Sequence, residues 1–204
     1  MPVIRVMSQS DYLSGIAARR PDSDVAPDLF RNYEIAGSAH ATPEELNFSA
    51  SPEDIVRAGR TVPAMQCTEG PRSRFPNSVA FNAILQNLEL WVSKHIPPPR
   101  AEPISIDNGK PVLDRFGNVI GGVRSPYVDV PTSAWFGSST GESFCFIAGH
   151  EVPFDRAQLK KLYTNHKTYV DAVAKNLSSL VSQRFVTKAD AKKLLEEAQK
   201  AKIP

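Results

Sequence analysis

Two side chains, Asp11 and His40, have the types and placement for acid–base chemistry. Imidazole is the side chain best suited to take a proton from a hydroxyl near neutral pH. A carboxylate beside it would fix its tautomer and stabilise the imidazolium that forms. His40 follows Ala36-Gly37-Ser38-Ala39, small residues that let a chain turn tightly. The competing reading of His40 is a surface or helix-capping histidine, and of Asp11 a helix cap. Asp22 and Asp24 are rival acids, but they sit in the middle of a polar loop.

A hydroxyl nucleophile would complete this pair. Gly137-Ser138-Ser139-Thr140-Gly141 matches G-x-S-x-G letter for letter. That pattern has mechanical meaning only between a buried strand and a helix. Here Glu142 to Ile147 reads as strand, so Ser139 is set aside in favour of a glycine-serine turn. Cys67 and Cys145 have no better context for a nucleophile, and two cysteines so far apart make no zinc site. They could pair in an exported protein; the simpler reading is two buried thiols. His150-Glu151 lacks ligand spacing and reads as loop, His95 and His166 fall at helix ends, and no metal or cofactor is expected.

The elements that must position the pair follow from hydrophobic patterning. Pro2 to Ser8 is apolar at most positions, as in a parallel strand buried on both faces. Asp11 to about Arg20 can form a short helix, and Arg19 to Asp28 is a polar loop bounded by prolines. Phe30 to Ala36 is a second strand. Strand, crossover and strand over this distance fit one right-handed parallel step. Asp11 and His40 then share the carboxyl end of a sheet, where α/β folds place their sites.

Residues 41–77 read as an irregular connection with one helical turn near 52–58. Ser78 to His95 is the clearest helix, with Phe81, Leu85, Leu88 and Val92 as the stripe expected to lie on the sheet and Ile84 and Trp91 beside it. Pro97 to Pro99 stops it. Residues 103–149 turn β-like, with hairpins at Asn108-Gly109 and Gly117-Asn118. Tyr127 to Val130 and Phe144 to Ile147 are expected as further strands. Helices are predicted over 156–163, 166–183 and 191–201, the second with Tyr169, Val173, Leu177 and Leu180 on one face. The last, rich in Lys192, Lys193, Glu196 and Glu197, presents a solvated face.

Several blocks together resemble a bacterial family of α/β-hydrolase-domain proteins. They are Val6 to Asp11, Arg19 to Asp24, Tyr33 to His40, Trp91 to Pro99, Gly121 to Pro131 and Phe144 to Phe154, with Gly121-Gly122-Val123-Arg124-Ser125-Pro126-Tyr127 the most specific. The resemblance covers nearly the whole chain but only the C-terminal part of the family's length. It implies an α/β-hydrolase fold and esterase-like chemistry, in which triads run in the order Ser, Asp/Glu, His. His40 matches the family's histidine. The family often carries glutamate where this chain has Gln9 and aspartate where it has Asp11; Asp11 is the preferred acid. The nucleophile elbow and oxyanion loop have no counterpart.

The expected architecture is therefore α/β: a partial α/β-hydrolase fold of two parallel strands and a packing helix, with a β-hairpin insertion and a helical C-terminal tail. Residues 1–100 would form the C-terminal part of the hydrolase core and 101–204 an extension packed on it. Expected partners are a small-molecule ester, in a complete parent, and the missing N-terminal half. The alternative is a non-catalytic interaction module reusing the fold. A net charge of +2 is too mild to argue for nucleic acid, and no apolar run is long enough to span a membrane. With no leader ahead of Val3 the chain as it stands reads as cytoplasmic, while a longer parent is free to be exported.

Overall fold

A computed structural model of the chain describes residues 1–46, 49–63 and 66–204. At its centre two strands, β1 (Val3–Ser8) and β3 (Asp28–Ile35), pair in parallel with Ser8 level with Ile35. A short strand, β2 (Ser23–Val25), turns back antiparallel on the far side of β3, giving the order β1-β3-β2. The crossover holds one turn of helix, α1 (Tyr12–Gly15), between two 3-10 turns. The prolines at 21 and 27 predicted only loop there; β2 forms because β3 offers it an edge.

β3 is buried along most of its length, but β1 is not buried on both faces as its composition predicts. Val3 is 47% exposed and only Met7 is fully buried. The cause is position: β1 ends the sheet, and among the described residues no strand pairs with its outer edge.

The connection after β3 carries α2 (Pro43–Leu46) and α3 (Pro52–Arg57); positions 47, 48, 64 and 65 of the predicted irregular stretch lie outside the described residues. Helix α4 (Asn77–Lys94) then packs on the sheet, ending at His95, which takes a left-handed φ of 56°. The face it buries is not the predicted stripe. Val79, Ala80, Ala83, Ile84, Asn87 and Trp91 turn inward, whereas Phe81, Leu85 and Val92 are 45%, 61% and 52% exposed. Small alanines let the helix approach Tyr33 and Ile35 closely, and Asn87 is buried because its amide donates to the Arg184 carbonyl, 2.8 Å away.

A tight hairpin joins β4 (Ile106–Asp107) to β5 (Lys110–Pro111) through Asn108 and Gly109, both at positive φ, as the Asn-Gly pair predicts. Tyr127 to Val130 is not a strand: Pro126 starts one helical turn, α5 (Pro126–Asp129). Instead β6 (Ser133–Phe136) pairs antiparallel with β7 (His150–Pro153), and the predicted strand over Phe144 to Ile147 is a 3-10 turn, Ser143–Ile147, between them. Three helices close the chain: α6 (Arg156–Leu162), α7 (His166–Ser182) and α8 (Lys188–Lys200). Val173, Leu177 and Leu180 of α7 meet Leu194 and Ala198 of α8 and Val79 of α4 in a second core. Among the described residues, no helix is long and apolar enough to cross a membrane.

Buried charge ties the outer layers to the sheet. Arg31, 1% exposed, donates to Asp24 at 2.6 Å and to the Pro98 carbonyl at 3.0 Å. Glu34, 4% exposed, binds Arg19 through both oxygens and accepts the Ile104 N–H at 2.9 Å. Such groups persist inside only when paired and hydrogen-bonded.

Candidate active site

The level ends of β1 and β3 set the site. After Ser8 the chain makes one 3-10 turn, Gln9–Asp11; after Ile35 it turns at Gly37, whose φ is +83°. A Cβ at Gly37 would come within 2.9 Å of Phe75 and 3.0 Å of Val128, so this turn requires glycine. The two loops are then joined by polar contacts. Gln9 N–H donates to Ser38 Oγ (3.1 Å), Gly37 N–H donates to Gln9 Oε1 (2.7 Å), and His40 N–H donates to Ser10 Oγ (2.8 Å). Gln9 is thus a buried clamp between the loops, with its amide oxygen committed to Gly37.

Asp11 and His40 meet at this junction. His40 Nδ1 lies 3.0 Å from Asp11 Oδ1, while Asp11 Oδ2 accepts from the Ser8 N–H (2.9 Å) and Ser8 Oγ (2.7 Å). An ionised carboxylate can only accept, so Nδ1 carries the proton and Nε2 keeps its lone pair. The His40 side chain is 57% exposed, which leaves most of the ring accessible to a reactant. The arrangement can hold one imidazole tautomer with Nε2 as the basic nitrogen.

Sequence reasoning missed the support beneath His40. Glu45 Oε2 accepts from the Thr42 N–H (2.8 Å), Thr42 Oγ1 (3.0 Å) and Asn77 Nδ2 (3.1 Å), and Asn77 Nδ2 also donates to the Ala39 carbonyl (2.9 Å). The signal was present: Thr42-x-x-Glu45 is a capping-box spacing. A cavity of about 150 Å³ beside this group includes Asp11, His40 and Phe81. A larger cleft, about 640 Å³, opens next to Ala41 and is walled by Ile55, Val62, Phe144, Ile147 and Ala148.

The other candidates lie elsewhere. Asp22 and Asp24 face Arg31, and the Arg100 hydrogen bond, with Arg31, holds the Asp24 carboxyl below its ordinary range despite partial burial. Cys67 and Cys145 form a disulfide, correcting the reading of two thiols; it joins the stretch after Pro63 to the 3-10 turn at 143–147. Ser139 Oγ lies 3.1 Å from His150 Nδ1, a contact the sequence did not suggest. Yet the same nitrogen is 3.0 Å from the Ser138 carbonyl, which can only accept. Nδ1 therefore carries the proton and cannot receive one from Ser139. His150 stacks on Phe136 with centroids 4.5 Å apart, and Glu151 pairs with Arg74, so both are structural parts of β7.

A family model described as an alpha/beta hydrolase domain matches residues 1–196. No curated protein and no solved structure matches the chain.

Proposed function

The chain belongs to the alpha/beta hydrolase domain family, and from that premise we propose that it carries the acid and the histidine of a serine-hydrolase triad acting on carboxylic esters. The carrying observation is the 3.0 Å contact of Asp11 with His40 at the carboxyl ends of adjacent parallel strands. In this reading a serine Oγ attacks the ester carbonyl carbon, and His40 Nε2 takes the serine proton. His40 then gives that proton to the departing alkoxide, and water attacks the acyl-enzyme by the same route in reverse. Asp11 is the positioning carboxylate.

The nucleophile and oxyanion donors come, in this proposal, from a further segment that adds strands to the open edge of β1. The exposed stripe of Phe81, Leu85 and Val92 on α4 supports it, because an apolar helix face on a sheet with an open strand edge suits continuation of the same layers. The same open edge also favours a second reading, a non-catalytic module that binds a partner there. Expression of the chain together with the sequence encoded in frame upstream separates the two. The hydrolase reading expects hydrolysis of p-nitrophenyl acetate that is lost in His40→Ala and falls strongly in Asp11→Asn. A soluble complex with no such activity supports the interaction module instead.

A further inference from the structure

The cleft next to His40 is suited to one kind of ligand. Ala41 on its wall follows His40 directly, and the His40 N–H donates to the carbonyl of Ile147, another wall residue, at 3.1 Å. Among the described residues, none that lines it carries a charge. Of its two serines, Ser51 is occupied in capping α3, where its Oγ accepts the Asp54 N–H and donates to Asp54 Oδ2. At about 640 Å³ it falls in the size range of small-molecule sites.

One of its walls is tied down by a crosslink. The 3-10 turn bearing Phe144 and Ile147 is fixed through the wholly buried Cys145 to Cys67, across a sequence separation of 78. Ser139 N–H donates to the Cys145 carbonyl at 3.0 Å from the other side. Yet Phe144 and Val62, both apolar, are 45% and 40% exposed at the cleft. A crosslinked wall, exposed apolar side chains and no charge among the described lining residues together describe a surface that gains by covering with hydrocarbon.

We infer that this cleft binds the uncharged alkyl or aryl group of an ester whose carbonyl lies at His40. The inference rests on the Asp11–His40 reading for the placement of the carbonyl, while the binding itself requires no catalysis. The substrate class is then a neutral ester with a medium-length apolar group, and one bearing a charge at its far end is rejected, because the cleft offers that charge no partner.

The test uses the full chain and methyl ketones, which present a carbonyl and cannot be hydrolysed. Dissociation constants are measured for 2-butanone, 2-hexanone and 2-octanone, with the Ile55 and Ile147 methyl resonances as reporters. Affinity should rise about fourfold per added methylene. The ω-carboxylate analogue 7-oxooctanoate should bind at least about tenfold more weakly than 2-octanone. Val62→Asp and Phe144→Asp, 40% and 45% exposed in the parent, should each weaken 2-octanone about tenfold, whereas Val25→Asp, 73% exposed on β2 and away from the cleft, should leave it within about twofold. Affinity independent of chain length, equal binding of 7-oxooctanoate, or shifts away from Ile55 and Ile147 would overturn the inference and leave the acid–histidine reading untouched. Chain-length dependence without triad activity in the complemented protein would separate the two the other way.

Discussion

Asp11 uses both of its carboxylate oxygens, one toward His40 Nδ1 at 3.0 Å and the other toward the backbone and hydroxyl of Ser8 at 2.9 and 2.7 Å. The acid is therefore anchored to the end of its own strand while it orients an imidazole on the next. A cap alone would explain the Ser8 bonds; it would not explain the histidine. Each loop holds its partner through Gln9, Ser10 and Ser38, so the geometry follows from strand register and not from the two residues alone.

The chain by itself is expected to hydrolyse p-nitrophenyl acetate no faster than its His40→Ala variant. Oxyanion donors and a nucleophile supply most of the rate in such enzymes, and Ser139 faces a nitrogen that already bears a proton. Ser139→Ala should therefore change nothing in a steady-state assay. A measurable rate that disappears in Ser139→Ala would assign the nucleophile to the Gly137–Gly141 loop.

Glu34 is expected to be a stability determinant. Truncation to alanine removes both Arg19 contacts and the acceptor of the Ile104 N–H. Breaking a buried pair costs about 3–5 kcal/mol; Arg19 is 24% exposed and can partly rehydrate, so about 2–3 kcal/mol is expected. That corresponds to roughly 4–12 °C in Tm for a chain of this size. A shift under about 1 °C would show that the pair contributes little.

Acid should weaken the fold partly through Asp24. Arg100 and Arg31 lower its folded pKa below the unfolded value. Its contribution is thus fully present above the unfolded value, about pH 4, and is lost as pH falls through the lowered folded value. Urea midpoints measured from pH 5 down to pH 2 should fall less steeply in Asp24→Asn than in the parent chain. Parallel slopes would contradict the assignment.

Much of this was legible in the sequence because it was local. The strands at 3–8 and 28–35, the glycine turn before His40 and the Asn108-Gly109 hairpin each follow from nearby residues. What could not be read was set by neighbours. Helix α4 has two apolar arcs, and periodicity alone cannot say that Ala80, Ala83 and Trp91 face the sheet while Phe81 and Leu85 face outward. Burial of Arg31 depends on Asp24, Pro98 and Trp91, brought together only by the fold. The β-branched residues at 128 and 130 suggested a strand, but Pro126 and the packing of Val128 made a helical turn. The Ser139–His150 contact arises from the β6–β7 register, which no spacing rule reveals.

The Cys67–Cys145 bond closes a long loop, with a sequence separation of 78. Chain-entropy arguments give such a crosslink about 4 kcal/mol, less whatever structure the reduced chain retains. Reduction should lower Tm, and the Cys67→Ser, Cys145→Ser double variant should match the reduced parent. Equal Tm in reduced and oxidised samples would show that the bond does not constrain the chain.

The central claim is that Asp11 holds His40 with its Nδ1 protonated and Nε2 free to act as a base. Long-range ¹⁵N–¹H correlation spectra of the imidazole, recorded in alkaline buffer, test it most directly. The account predicts a pyrrole-type Nδ1 and a pyridine-type Nε2 for His40, with the tautomer balance shifting toward Nε2–H in Asp11→Asn. A His40 protonated on Nε2 in the parent chain, or a tautomer indifferent to Asp11, would contradict it.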